Sequence, residues 1–503
     1  MSSDSPTVNG DDPSATRLTE VADATQEHQP SSSVPELVEP PHPGAGHEIY
    51  PAPHEPPLRT ELAIPIVIGT RPEAIKLVPI ILALKESEFY RPIVISTGQH
   101  HRMVQEIFQL AGITTDVTLW AGTRRELNER VSSVMRRFED FMVEWFGVPS
   151  GERTNEQILS GQVPAAVLVH GDTSSAMAAA LASFHLQIPV MHVEAGLRTG
   201  GLNLTPFPEE LNRRLISQIA CLHFAPTMKN LANLVHERVP AGQVFVTGNT
   251  GIDALRWASG LNVEFEDPRL QALVDGDHRI VVVTAHRREN WGHGLDCIAE
   301  GVARLAGKHP EVRFVVPMHP NPAVREQIVA RLRDVSNVLL TEPLGYARFA
   351  RLLGRCDLVI TDSGGIQEEA PSLGKPVLVT RQETERLEGV EEGTLLLVGT
   401  DPDRIASEGD RLLSDPEAYA QMAEADNPYG DGRAARRIVA ALEYLLLGAD
   451  APRAFGPGYN RGAVIDAAGF AGPFEPVEAM LGQLAGRERR AEEQANADEQ
   501  WLT

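Results

Sequence analysis

A chain of 503 residues is too long for a single hydrophobic core, so its length predicts two globular domains with additional segments. A formal net charge of −24 argues against general binding to nucleic acids or anionic membranes, although a local basic pocket for a small anionic ligand stays compatible with it. Three scattered cysteines show no metal-ligand spacing, and no apolar run is long enough to span a bilayer. We therefore expect a cytoplasmic protein with no metal and with small-molecule partners.

Both ends of the chain differ in composition from its middle. Residues 1–60 are rich in Ser, Pro, Glu and Asp and have almost no apolar periodicity. Such a segment cannot bury enough apolar surface to offset the entropy lost on ordering, so a disordered tail is expected. Residues 449–503 are rich in Gly, Pro and Ala and end in a weakly helical charged stretch. A flexible tail is expected there.

The first folded segment opens with a predicted strand over 63–68 that continues through GTRPEAIK into a helix. Pro72 suits the first helical turn, so Arg71 stands at the carboxyl end of the strand, where open α/β sheets bind their ligands. Lys76 follows about a turn and a half later. Two cations at this point could stabilise the negative charge on a departing diphosphate, and ordinary surface positions are the alternative.

Three carboxylates follow in the same half of the chain. Asp172 and Glu194 each come after a predicted buried strand, and Glu209 lies in the first turn of a predicted helix. Asp172 could equally be a helix cap, whereas the pattern gives Glu194 no capping role. Paired carboxylates with separated pKa values are the usual groups that move protons near neutral pH. We expect these three to face one cleft.

The second half repeats the alternation of strands and helices, and polar residues again follow the strands. His286 comes after a predicted strand over 279–284 and has two arginines beside it, so it could donate to a phosphate or shuttle a proton; a structural histidine is the alternative. Phe349 could stack on a base. After the motif NPYGDG, residues 434–447 are predicted to form an amphipathic helix.

Residues 356–380 read as strand, tight turn, helix and second strand. The turn Ser363-Gly364-Gly365 lets backbone approach a ligand closely, and its N–H groups could hold a diphosphate. A carboxylate one turn into the helix, such as Glu369, could accept hydrogen bonds from a ribose. Pro371 should keep the helix short. The unit predicts a nucleotide site, with an ordinary strand-to-helix turn as the alternative.

Several motifs together resemble the non-hydrolysing bacterial UDP-N-acetylglucosamine 2-epimerases over residues 64–447: GTRPEAIKLVPI, HGDT, HVEAGLRTG, PEELNRR, HRREN, DSGGIQEEAPSLGKPVL and NPYGDG. The resemblance implies an α/β fold of two Rossmann-like domains that face each other across a cleft, as in GT-B enzymes. The N-terminal domain is expected over 61–246, joined by a C-terminal helix over 433–448, and the UDP-binding domain over 247–432. The family converts UDP-GlcNAc and UDP-ManNAc reversibly without a cofactor or metal, and a homodimer is expected.

The resemblance also implies the role of each site residue. The family is thought to eliminate UDP to give 2-acetamidoglucal and then to add UDP back with the C2 proton on the other face. Six residues would carry the catalysis. The carboxylates Asp172, Glu194 and Glu209 would transfer protons, in an order that stays open. His286 and Arg71 would assist the leaving diphosphate, and Lys76 would support Arg71. The substrate would be held by Ser363, Gly364 and Gly365 at the diphosphate, Glu369 at the ribose, Leu344 and Phe349 at the uracil, and Arg386 at the phosphates.

Some family members bind a second UDP-GlcNAc as an activator beside the substrate. Four residues here are candidates for that site: Gln99, Arg102, Arg287 and His319. His101 and Leu387 depart from the family pattern, and these departures bear on activation more than on catalysis.

Three other functions stay open at this point. The chain could epimerise another UDP-diacetamido sugar, it could hydrolyse UDP-GlcNAc to free ManNAc and UDP, or it could be a nucleotide-sugar-binding regulator without turnover. The motifs HRREN and PEELNRR favour plain UDP-GlcNAc, and the intact carboxylates speak against a silent regulator.

Overall fold

A computed structural model describes residues 61–122, 126–147, 153–199 and 203–456 of the chain. The predicted disordered tail over 1–60 lies outside these residues, and of the predicted flexible tail only residues 449–456 are described. Within the described part, no helix is both long and apolar enough to cross a membrane.

The N-terminal half is built on a seven-stranded parallel sheet with strand order β3-β2-β1-β4-β5-β6-β7. Its strands are β1 Leu62–Ile68, β2 Tyr90–Ser96, β3 Val117–Thr118, β4 Val167–His170, β5 Val190–Val193, β6 Leu222–Ala225 and β7 Val244–Val246. Buried aliphatic side chains fill both faces of the central strands, as parallel sheets covered by helices require. The strand order reverses between β1 and β4, so the loops after these two strands border the crevice in which open sheets bind ligands.

Helices cover this sheet on both faces. They are α1 Arg71–Glu86, α2 His101–Leu110, α3 Leu127–Phe146, α4 Asn155–Leu159, α5 Ser174–His185, α6 Glu209–Ile219 and α7 Met228–His236. One hydrophobic cluster joins α1 to β1, and the other joins α3 and α5 to the opposite face. The alanine-rich α5 lies close on the sheet because its buried side chains are small.

The second half forms a six-stranded parallel sheet with strand order β10-β9-β8-β11-β12-β13. Its strands are β8 Ile280–Thr284, β9 Arg313–Pro317, β10 Val338–Thr341, β11 Leu358–Thr361, β12 Val377–Val379 and β13 Leu395–Leu397. The strand order reverses between β8 and β11. The helices of this half are α8 Thr250–Ser259, α9 Pro268–Asp275, α10 His293–Lys308, α11 Pro322–Leu332, α12 Tyr346–Arg355, α13 Gly364–Glu369, α14 Leu387–Glu391, α15 Pro402–Ser414 and α16 Pro416–Ala423.

The last helix, α17 (Ala434–Leu447), returns to the N-terminal half. Its residues Ile438 and Leu442 belong to the hydrophobic cluster around α1 and β1. The Asp253 carboxylate accepts the backbone N–H groups of Ala434 and Ala435, at 3.1 and 2.9 Å, and so caps the start of the helix. The two halves are therefore joined by two adjacent passages of the chain, one before α8 and one before α17.

Residues 449–456, at the start of the predicted flexible tail, lie against the N-terminal half. The backbone N–H of Phe455 donates to the Val246 carbonyl at 2.9 Å, beside the edge strand β7. The Arg437 guanidinium lies 5.5 Å from the centre of the Phe455 ring and also donates to the Thr247 carbonyl and the Asp431 carboxylate. A Cβ on Gly248 would lie 3.6 Å from this ring, which places Phe455 at the first passage between the halves.

Candidate active site

The loops after β1 and β4 bring three predicted catalytic residues to one end of the N-terminal sheet. Arg71 is half-buried at the start of α1, and Lys76 follows on the same helix. Asp172 follows β4, and its side chain is 23% exposed. The reversal of strand order between β1 and β4 places these loops side by side.

Glu194 follows β5 in a left-handed backbone conformation, with φ of 63°, that non-glycine residues adopt rarely. Its carboxylate forms an ion pair with the Lys76 ammonium, and His170 Nε2 lies 3.6 Å from the same oxygen. Burial alone would raise the pKa of Glu194, but the charges of Lys76 and His170 outweigh burial and lower the pKa to about 2. Glu194 is therefore held ionised at neutral pH.

Asp172 has the opposite shift. Burial raises the pKa of Asp172, and the Arg213 guanidinium, 2.5 Å from the carboxylate, only partly opposes that rise. Asn212 donates to the Asp172 carbonyl at 2.9 Å and fixes the loop. Two neighbouring carboxylates with separated pKa values are the arrangement that general acid–base chemistry requires.

The structure distinguishes the two glutamates of the PEELNRR motif. Glu209 is half-buried at the start of α6, whereas Glu210 is fully buried. Glu210 accepts hydrogen bonds from Thr199, Arg213 and Arg214, at distances of 3.0 to 3.3 Å. The sequence pattern indicated Glu209 as a candidate for proton transfer and gave no role to Glu210 or Arg213, although their spacing of three residues on a helix was a signal for an ion pair.

In the second half, the buried Asp362 organises the loop after β8. Its carboxylate accepts the backbone N–H groups of His286 and Arg287 and the Asn290 side chain, at distances of 2.8 to 3.1 Å. The His286 ring stacks on the His319 ring, with centroids 5.6 Å apart. Burial lowers the pKa of His286, although Asp362 opposes this shift. Asp362 was also missed from the sequence because its role lies in contacts with a distant segment.

Two guanidinium groups converge on the glycine turn after β11. A Cβ on Gly364 would lie 3.1 Å from both Arg287 Nη2 and Arg386 Nη1, so a larger residue would require these guanidinium groups to shift by a few tenths of an ångström. Arg386 Nε in turn donates to Glu368 at 2.9 Å. The Ser363 backbone N–H donates to Thr361 Oγ1 at 2.9 Å, so this N–H is already used within the protein, contrary to the expectation that the turn leaves it free.

The helix after this turn carries the acidic pair Glu368 and Glu369. Glu368 accepts a second hydrogen bond, from Asn249 Nδ2 at 2.7 Å, whereas burial raises the pKa of Glu369 to about 8. A Cβ on Gly251 would lie 3.5 Å from Lys76 Cε and 3.6 Å from Glu369 Oε1. Lys76 of the first half, which pairs with Glu194, and the acidic helix of the second half thus meet at Gly251.

The remaining predicted residues lie in three kinds of place. Leu344 and Phe349 are half-buried against the hydrophobic cluster of the second half, and Gly365 is exposed. Gln99 Oε1 accepts a hydrogen bond from Ser175 at 3.0 Å. The Arg102 side chain is 83% exposed and pairs with Glu106 on its own helix, which is an ordinary solvated ion pair. Among the residues with described positions, no group of histidine, cysteine and acidic side chains could hold a metal ion.

The fold and the site together define an α/β protein of the GT-B-like class, with carboxylates after strands of one sheet and a glycine turn after a strand of the other. Comparison with known proteins narrows this class. A family model described as UDP-N-acetylglucosamine 2-epimerase matches residues 153–443. The UDP-N-acetylglucosamine 2-epimerases of Yersinia pestis and Escherichia coli K12 are 44% and 42% identical to this chain over 382 residues, and each match covers 75% of this chain and 97% of the relative.

Solved structures agree with this result. A crystal structure of the UDP-GlcNAc 2-epimerase from Neisseria meningitidis, bound to UDP-GlcNAc, matches with a TM-score of 0.68 and 39% identity, covering 76% of this chain and 99% of that one. A putative UDP-N-acetylglucosamine 2-epimerase from Listeria monocytogenes matches with a TM-score of 0.70 and 40% identity, covering 79% and 100%. This chain belongs to the non-hydrolysing UDP-N-acetylglucosamine 2-epimerase family.

Proposed function

We propose that this chain interconverts UDP-GlcNAc and UDP-ManNAc by inverting C2 of the sugar. Beyond the family, the observation that supports this proposal most is the meeting of the Lys76–Glu194 pair with Glu369 at Gly251. A nucleotide whose ribose lies at Glu369 and whose diphosphate lies at Gly364 would extend its sugar towards the carboxylates of the first half.

The chemistry explains why charges of both signs are needed. The hydrogen on C2 is too weakly acidic for simple removal, so the reaction proceeds through elimination. A base takes the C2 proton, the C1–oxygen bond breaks, UDP leaves with the bonding electrons, and 2-acetamidoglucal forms. UDP then adds back to C1 while a proton enters C2 from the other face. The forward step needs a base and a cationic environment for the leaving diphosphate.

The pKa values suggest a division of labour between the carboxylates. Asp172, with a raised pKa, fits a group that both takes and gives a proton, whereas Glu194, with a pKa of about 2, fits a permanent anion that orients Lys76. Glu209 is half-buried in the next helix and is the remaining candidate for the second face of C2. Arg386 and His286 on the second half, and Arg71 on the first, would stabilise the leaving diphosphate.

Four further points are part of the proposal. The domain limits are 61–246, joined by the helix over 433–448, and 247–432. The active form is a homodimer, and the free thiols fit a cytoplasmic location. A second UDP-GlcNAc would bind beside the first as an activator. Arg287 lies next to Gly364 and His319 stacks on His286, so both would adjoin the proposed substrate site, which supports that position.

Product analysis tests the proposal directly. Purified protein incubated with UDP-GlcNAc in heavy water should yield UDP-ManNAc, and proton NMR should show deuterium at C2 of both nucleotide sugars. Free ManNAc with UDP as the main product would exclude the non-hydrolysing reaction. Turnover only with a UDP-diacetamido sugar would exclude UDP-GlcNAc as the substrate. Nucleotide binding without isotope exchange would indicate a regulator without turnover.

Asp172→Asn tests the role of the carboxylate. Turnover should fall by about two to four orders of magnitude, the usual contribution of a general acid or base. Asp334→Asn is a matched control, because the Asp334 side chain is 93% exposed on the opposite half of the chain, and its turnover should equal that of the wild type. A loss below tenfold for Asp172→Asn would remove this residue from proton transfer.

A further inference from the structure

Glu73 is a buried carboxylate, 2% exposed, in the first turn of α1. Its Oε2 accepts three hydrogen bonds from the loop after β1: from Gly69 N at 3.1 Å, from Thr70 N at 2.6 Å and from Thr70 Oγ1 at 2.8 Å. This loop carries Arg71. One carboxylate oxygen is therefore sufficient to cap α1 and to fix the Arg71 loop.

The other oxygen of Glu73 reaches a different loop. Glu73 Oε1 accepts a hydrogen bond from Thr173 Oγ1 at 2.7 Å, and Thr173 directly follows Asp172. Thr173 Oγ1 also accepts the Ala176 N–H at 3.0 Å and so caps α5. The two loops are separated by 100 residues of sequence. Helix capping does not require this link, because α1 and α5 are each capped without it.

Burial disfavours the ionised form of Glu73 at this position. Burial raises the pKa of Glu73 to about 7 even though the side chain accepts four hydrogen bonds, two of them from Thr70 and one from Thr173. A neutral cap residue would avoid this unfavourable burial. A carboxylate, by contrast, offers two strong acceptor atoms in one rigid plane, which suits a connection between two loops.

We propose that Glu73 is a positioning residue that holds the Arg71 loop and the Asp172 loop at a fixed separation. The inference rests on the proposed function, in which Arg71 assists the leaving diphosphate at C1 while Asp172 moves the proton at the neighbouring carbon. Both groups must act on one bound sugar at the same time. A displacement of about 1 Å between such groups can reduce the rate about 100-fold.

Thr173→Val cuts the link and keeps the shape of the side chain. We expect kcat to fall about 10- to 100-fold, with KM for UDP-GlcNAc within about threefold of the wild type, because the nucleotide is held by the other half of the chain. Isotope exchange at C2 should fall by the same factor. Thr173→Ser keeps the hydroxyl and should restore kcat to within about threefold. Glu73→Gln, which keeps both acceptor positions only in part, should lie between the two.

Thr154→Val is the matched control for lost capping. Thr154 Oγ1 accepts the Gln157 N–H at 3.2 Å, the same contact three residues ahead that Thr173 makes, but it caps α4 outside the cleft. Both valine variants should lower Tm by similar amounts, and both are assayed well below Tm. A kcat loss confined to Thr173→Val supports positioning. Unchanged kcat in Thr173→Val, or a loss that serine does not restore, would overturn the inference.

The same assay separates this inference from the proposed function. Wild-type protein that produces no UDP-ManNAc would overturn both. Wild-type protein that is active, with Thr173→Val equally active, would leave the epimerase function intact and reject the positioning role alone.

Discussion

Binding of UDP should release a proton from Glu369, and the structure gives the expected size of this effect. Burial raises the pKa of Glu369 to about 8, with Lys76 opposing the rise and Glu368 adding to it. At pH 7 such a carboxyl is roughly 90% protonated in the free protein. Ribose hydroxyl groups donate more strongly to a carboxylate than to a neutral acid, so bound UDP should favour the ionised form.

The linkage between binding and ionisation sets the magnitude. If the bound form is fully ionised, UDP binding releases about 0.9 proton at pH 7 and roughly 0.25 at pH 8.5. The free energy that ionisation requires falls over the same interval, so Kd should decrease about eightfold from pH 7 to pH 8.5. The pKa of Glu369 is raised, so the ionised form, which binds UDP more tightly, becomes more populated as pH rises, and Kd falls.

Calorimetry in two buffers of different ionisation enthalpy counts these protons. The observed binding enthalpy of the wild type should change with the buffer at pH 7 and much less at pH 8.5. Glu369→Gln is the control, because glutamine keeps an acceptor oxygen without a titrating group, and its enthalpy should be independent of the buffer. Proton release by Glu369→Gln equal to that of the wild type, or none by the wild type at pH 7, would refute the reasoning.

Three more predictions concern single contacts. Glu194→Gln leaves the half-buried Lys76 ammonium unpaired, so the free energy of unfolding should fall by about 3 kcal/mol at pH 7. Because the pKa of Glu194 is depressed from 4.5 to about 2, the urea unfolding curves of variant and wild type should converge as pH falls through that window. A difference in unfolding free energy that stays constant with pH would contradict an origin in the Glu194 charge. Burial raises the pKa of Asp172 and the Arg213 charge opposes this rise, so Arg213→Gln should move the acidic limb of the pH profile of kcat/KM to higher pH. An acidic limb at unchanged pH would show that Arg213 does not control the ionisation of Asp172. Phe455→Ala should lower the free energy of unfolding by about 1–3 kcal/mol through lost packing on Arg437, and identical denaturant midpoints would show that the Phe455 ring adds no stability.

The fold and the ends of the strands could be predicted from the sequence because parallel strands leave a local pattern. Buried apolar runs followed by small and polar residues located β1, β4, β8 and β11, the four strands on either side of the two reversals in strand order. The effect of Pro371 is also confirmed. The helix α13 ends at Glu369 and a 3₁₀ turn over Ala370–Leu373 follows it, because proline lacks the N–H that would continue the helix.

The partners of the site residues could not be predicted in the same way. Asp362 acts on a loop more than 70 residues earlier in the chain, and Lys76 pairs with a residue 118 positions away. No periodicity in one segment identifies a contact with another, so these pairs follow only from the arrangement of strands. The difference in burial between Glu209 and Glu210 could not be predicted for a related reason. A helical first turn presents both, and only packing against Arg213 and Thr199 buries one of them.

The pKa of Asp172 is raised and that of Glu194 is lowered because their cationic partners are shared differently with other acids. Lys76 places one compact ammonium directly on Glu194, with His170 nearby, and their combined charge exceeds the effect of burial. Arg213 divides its guanidinium between two acids, because Nη2 contacts Asp172 and Nη1 contacts the buried Glu210 at 3.2 Å. The Glu210 charge therefore offsets part of the Arg213 charge, and at Asp172 burial raises the pKa more than Arg213 lowers it. Glu210 touches neither carboxylate, yet by sharing Arg213 it leaves the pKa of Asp172 raised by burial while Glu194 stays ionised.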